Sequence, residues 1–101
     1  MSNVKSLPDK EQCESVAHTL KILAHPQRLM ILCQLTDGPK TVGELEELCG
    51  ASQSAVSQFL QRMKSEGLVN CERNSQYIYY NIADKDIQKV IQSLYKIYCG
   101  A

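Results

Sequence analysis

Six polar side chains between Gln53 and Arg62 have the spacing of a surface able to make hydrogen bonds. Gln53, Ser54, Ser57, Gln58, Gln61 and Arg62 fall largely on one side of a helix whose other side carries Val56, Leu60 and Met63. As a pattern alone, this reads equally well as an ordinary solvated helix face. The other reactive groups are five cysteines and two histidines. The cysteines are odd in number and include no C-x-x-C pair, which argues against a secreted disulfide framework and against a zinc ribbon. Reduced thiols are therefore the expected state. His18 and His25 read as helix-surface or helix-end residues rather than ligands. No nucleophile, base and orienting group stand in an obvious set, so an enzyme is not expected.

The polar helix has marked ends. Ser52 offers a hydroxyl to cap its start, Gly67 can adopt the left-handed conformation that stops it, and Leu68 closes the stop hydrophobically. Upstream, Thr41 and Glu44 form a T-x-x-E capping box that opens a short helix through Leu48, and Gly50 breaks the two apart. Helix, tight turn and helix result.

The remaining elements follow from apolar spacing. Residues 1–9 are a polar tail ending in Pro8-Asp9, a helix start, and residues 10–101 read as a single domain. From Lys10 to Ala24, a stripe of Cys13, Val16, Ala17, Leu20 and Leu23 marks a first helix whose apolar face serves the core or a dimer contact. His25-Pro26 breaks it, and Pro26 suits the first position of a second helix that is apolar on most sides and so central. Thr36 to Pro39 is a turn by composition. LVNCER alternates as a half-buried strand, and in QYIYYNI the residues Ile78, Tyr80 and Ile82 share a face, so the two runs form a hairpin. Asn74-Ser75 is its expected reversal, flanked by Arg73 and Gln76. Asp84 caps a last helix whose Ile87, Val90, Ile91, Leu94, Ile97 and Tyr98 make a stripe too wide for a solvent-exposed terminal helix. That width calls for a second subunit.

Composition sets the bounds. The chain has 101 residues, 44% of them apolar, enough for one modest core shared with a partner. Formal net charge is zero, so any nucleic-acid binding must come from local clustering of Lys and Arg. No apolar run approaches a membrane span, and the N-terminal MSNVKSLPDKEQ lacks the apolar core of a signal peptide. A cytoplasmic location is expected, with no membrane partner.

A helix-turn-helix followed by a two-stranded wing, set between terminal helices, is the organisation of a winged helix DNA-binding domain. The segments LKILAHPQRLMILCQL, TVGELEELCGASQSAVSQFLQRMKSEGLV and the hairpin ending in IYYNI resemble the ArsR/SmtB family of dimeric repressors over nearly the whole chain. Within it, ILC near residue 33, SQSAVSQ, and LYKIYC near residue 99 resemble the branch that senses reactive sulfur, which includes biofilm, sulfide-oxidation and haemolysin regulators. The resemblance implies a mainly α fold of five helices and a β-hairpin, dimeric through its first and last helices, with Val16, Leu20, Ile87, Val90, Ile91, Leu94 and Tyr98 at the seam.

It also implies contacts to a double-stranded DNA operator. Gln53, Ser54, Ser57 and Gln58 would face the major groove, Gln61 and Arg62 the phosphates, and Arg73 on the wing the backbone or minor groove. Zero net charge fits if Glu44, Glu46 and Glu47 turn away from DNA while Arg62, Lys64 and Arg73 turn toward it. Relatives often carry His where this chain has Phe59, so a contact made by that His is lost here or replaced by packing.

The family's metal sites do not carry over. Thr41-Val42-Gly43 stands where a C-V-C arsenic or cadmium site would need soft ligands, and residues 84–101 contain no histidine for a zinc site on the last helix. No metal or other cofactor is expected. The resemblance instead places Cys33 and Cys99 where reactive-sulfur sensors carry paired thiols, bridged by reactive sulfur species or another oxidant. Cys49 and Cys71 read as packing residues, and Cys13 lies near the seam. Two other readings stay open: a DNA-binding regulator without a sensor that competes with another DNA-binding protein, and a thiol redox or protein-interaction domain.

Overall fold

In the computed structural model, which describes residues 7–100, the order is α1 (Lys10–Leu23), α2 (Pro26–Leu35), α3 (Val42–Cys49), α4 (Gln53–Ser65), β1 (Val69–Asn74), β2 (Tyr77–Ile82) and α5 (Lys85–Cys99). The first six residues of the expected N-terminal tail lie outside the described residues. Each helix starts on a side chain that captures otherwise unpaired backbone N–H groups. Asp9 accepts from the Gln12 N–H at 2.8 Å, and the Gln12 side chain accepts from the Asp9 N–H at 2.9 Å. Thr41 and Glu44 form the same reciprocal box on α3. Ser52 accepts from the Ala55 N–H at 3.1 Å, and Asp84 from the Asp86 N–H at 2.8 Å. At α2 the cap is His25, whose ring Nδ1 takes the Gln27 N–H while Pro26 fills the first helical position.

These helices close over one core. Ile31 and Leu32 of α2, Leu45 of α3, and Val56, Leu60 and Met63 of α4 are fully buried, joined by Val69 of β1 and Ile91 of α5. The α3 and α4 helices are separated by Gly50, which takes φ 64°, a conformation costly for any residue with a Cβ. Helix, turn and helix are thereby fixed against the central α2.

The wing departs from expectation at its tip. Asn74 pairs with Tyr77, so the reversal is Ser75-Gln76 rather than Asn74-Ser75, with Ser75 at φ 65°. The change moves each cross-strand partner by two residues, so every side chain keeps its face. It also brings Ile82 opposite the buried Val69, where both close the core instead of leaving Ile82 overhanging the sheet. Lys40 adds a third, one-residue strand through a pair of hydrogen bonds with Tyr80, at 3.0 and 2.8 Å.

A second correction concerns α5. Ile87 and Ile91, expected at the dimer seam, are 3% and 1% exposed and belong to the subunit's own core, because α5 lies against α2 and β2. Val90 and Tyr98 remain exposed and Leu94 half-buried, as do the exposed Val16 and Leu20 on α1; Tyr95 and Ile97 extend the open face. Among the described residues, no helix is long and apolar enough to cross a membrane.

Because Leu60 is enclosed on all sides, Leu60→Ala should lower the unfolding free energy by about 2–5 kcal/mol. Thr41→Ala should cost about 1 kcal/mol through loss of one cap. Urea denaturation followed by circular dichroism measures both.

Candidate nucleic-acid interface and thiol pair

Burial of Val56, Leu60 and Met63 sets the rotation of α4, and the opposite side then presents Gln53, Ser54, Ser57, Gln58 and Gln61 along one open surface. Arg62 stands beside it, exposed, with its Nε 3.6 Å from Glu66 Oε2. Glu66 in turn contacts the His18 Nε2 of α1 at 3.1 Å. The His18 contact, with a smaller push from Arg62, holds the Glu66 carboxyl below its ordinary range. A link between α1 and the end of α4 was not visible in sequence, since its ends lie 48 residues apart.

Phe59 turns away from the open surface. Its ring centroid lies 4.8 Å from that of His25, and the Arg28 guanidinium carbon stands 5.8 Å from it. The phenyl ring thus seats α4 on the start of α2 by aromatic and cation–π packing. Arg73 is exposed on β1, in a shallow concavity with Pro39, Glu72, Asn74 and Tyr79, apart from the α4 surface. Of the acidic residues expected to turn away, Glu44 is engaged in the Thr41 capping box.

The five thiols are free. Cys33 is half-buried on α2 and opens on a cleft whose far wall is Ile91, Gln92, Tyr95 and Lys96 of α5. Cys99 is the last residue of that helix and is exposed. Burial pushes the Cys33 thiol up, and the charge of a Cys99 thiolate pushes it further in the same direction. Cys49 is buried, and its thiol is raised by desolvation and then by Cys33. Cys49 is therefore a neighbour of Cys33 as well as the packing residue that sequence suggested, a proximity that no spacing rule signals. Among the described residues, no three metal-ligating side chains gather into a site.

Alkylation checks this placement. Iodoacetamide labelling of Cys33, followed by peptide mapping, should need a higher pH than an ordinary thiol. Cys99→Ser should move the midpoint down, since removing a neighbouring negative charge makes the Cys33 thiolate easier to form. A midpoint unmoved by that substitution would mean that the two sulfurs do not interact.

Residues 25–70, from the cap of α2 through α3 and α4 into β1, match the family described as bacterial regulatory protein, arsR family. The chain is 44% identical over 87 residues to the HTH-type transcriptional regulator YgaV of Escherichia coli K12, covering 85% of this chain and 88% of that protein. It is 37% identical over 91 residues to the biofilm growth-associated repressor of Xylella fastidiosa 9a5c, covering 90% and 80%. A homodimeric winged helix-turn-helix DNA-binding domain from Mycobacterium bovis superposes with a TM-score of 0.74 at 29% identity, covering 96% of this chain and 89% of that one. The Escherichia coli and Xylella fastidiosa relatives are transcription regulators, not enzymes, and the Mycobacterium bovis domain is described as a possible ArsR-family transcriptional regulator. With its fold, its open α4 face and these similarities taken together, the chain belongs to the ArsR family of DNA-binding transcriptional regulators.

Proposed function

We propose that the chain is a cytoplasmic homodimeric repressor that binds its operator with thiols reduced and is released when Cys33 and Cys99 are bridged by reactive sulfur species. The observation that carries this reading is Cys33 on its cleft, walled by α5 and within electrostatic reach of Cys99. The Cys33 thiolate attacks one sulfur of a polysulfide, the adjacent S–S bond breaks, and the remainder leaves as hydrosulfide or a shorter polysulfide, so that Cys33 carries a persulfide or a longer sulfur chain. The Cys99 thiolate then attacks that short chain and expels hydrosulfide, leaving a bridge of two or more sulfurs. A direct disulfide requires Cα atoms about 5.5 Å apart, whereas added sulfur spans a wider gap.

Dimerisation uses the apolar side chains left open on α1 and α5: Val16, Leu20, Val90, Leu94 and Tyr98. The Mycobacterium bovis relative, described as homodimeric, supports this arrangement. Two copies of α4 then enter successive major grooves about 34 Å apart. Tying the end of α5 to α2 alters the spacing of the two reading units. A coupling of about 1–3 kcal/mol lowers operator affinity roughly 5- to 150-fold.

On the operator, the amides of Gln53 and Gln58 address adenine edges, Ser54 and Ser57 reach bases or phosphates, Gln61 and Arg62 meet phosphates, and Arg73 holds the flanking backbone. The second reading, a regulator without a sensor that competes with another DNA-binding protein, draws on one observation. Burial raises the Cys33 thiol, which reduces its thiolate fraction at neutral pH.

An operator obtained by unbiased DNA selection tests both readings. Polysulfide treatment should yield a Cys33–Cys99 crosslink by mass spectrometry together with weaker binding; intact affinity without a crosslink would overturn the sensor. Gln58→Ala should relax sequence choice at one position by about 1–3 kcal/mol. Arg73→Ala should weaken binding to all sequences and reduce the salt slope by about 1 per subunit.

A further inference from the structure

Outside the proposed Cys33–Cys99 pair, a further cysteine touches a second reactive group. Lys64, in the last turn of α4, directs its Nζ at Cys71 Sγ on β1, at 3.2 Å. Lys64 is exposed and Cys71 half-buried, so both are within reach of a small solute. Helical spacing also sets Lys64 in line with Ser57 and Gln61, at the far end of the polar face. The pair therefore lies within the reading unit itself, where β1 leaves α4.

We infer that Lys64 and Cys71 form a second oxidation site, at which hydrogen peroxide closes a reversible sulfur–nitrogen bond and removes one positive charge from the DNA-binding face. Thiolates are the nucleophiles toward peroxide, and sulfenic acids condense with nearby nitrogen to sulfenamides. The Cys71 thiolate attacks one peroxide oxygen and the O–O bond breaks. Hydroxide leaves and takes a proton from the Lys64 ammonium, giving water, a sulfenic acid and a neutral amine. The amine lone pair then attacks sulfur, the S–O bond breaks, and the departing hydroxide takes a second amine proton. Sulfur is oxidised by two electrons, the peroxide is reduced, and two waters are released.

The product does two things at once. It replaces an ammonium with an uncharged nitrogen, so a phosphate loses its cation, and it staples the end of α4 to the root of the wing. Neither step uses Cys33 or Cys99, so this site responds when the proposed sensor pair is absent. Its test is accordingly run on the full-length Cys33→Ser/Cys99→Ser chain.

Hydrogen peroxide treatment and tryptic mapping should reveal a Lys64–Cys71 crosslink that lacks two hydrogens, blocks cleavage after Lys64 and reverts with dithiothreitol. Binding to the selected operator should weaken, and the salt slope should fall by about 0.9 for each lysine neutralised. Lys64→Arg keeps the charge and cannot close the bond, so whatever its affinity when reduced, that affinity should not fall on treatment. Sulfinic acid at Cys71 without the crosslink, the same affinity loss in Lys64→Arg, or a crosslink that leaves the salt slope unchanged would each overturn the inference.

Discussion

Burial of Val56, Leu60 and Met63 is the constraint on which the open polar surface of α4 depends. A helix can rotate freely about its axis until one face is enclosed, and here the enclosure is complete. Once those three side chains join the core beside α3 and the root of the wing, the amides and hydroxyls on the opposite face have no freedom to turn inward. Phe59 adds a lateral stop, since its ring is held by His25 and Arg28 at the start of α2. The polar face is thus rigid because the apolar face is.

The same helix α2 that supports α4 also carries Cys33, and this makes the architecture economical. Its start caps on His25 and seats Phe59; two turns later its half-buried thiol faces α5. The last helix is divided in turn, with Ile87 and Ile91 spent on the core and Val90, Leu94 and Tyr98 left open. A change in how α5 lies on α2 acts on both the open apolar face and the support of α4.

Local signals were legible in the chain and distant ones were not. The capping residues Asp9, Thr41, Ser52 and Asp84 act within three positions, so residue type and spacing reveal them. The five helices and the polar face of α4 follow from apolar spacing taken together with these end signals. The division of the α5 stripe does not, because a wide apolar band looks the same whether one partner covers it or two. A one-residue strand at Lys40 has no period to read, and the turn at Ser75 was displaced because Asn74 and Ser75 are both good turn formers. The contacts His18 to Glu66 and Lys64 to Cys71 depend on how helices and strand are brought together, which spacing does not encode.

The bridge between Lys40 and Tyr80 gives the wing a fulcrum. Tyr80 pairs with Cys71, so the rung from Cys71 to Lys40 spans all three strands and clamps the hairpin to the loop before α3. Residues 72–79 extend beyond that clamp like a cantilever, most of them exposed, while Val69 is buried on the near side and Ile82 packs against the core. Arg73 rides on the free arm and Cys71 sits at the pivot. The hairpin is thereby rooted in the core at one end and open to solvent at the other, so its root holds register while its tip presents Arg73 to solvent.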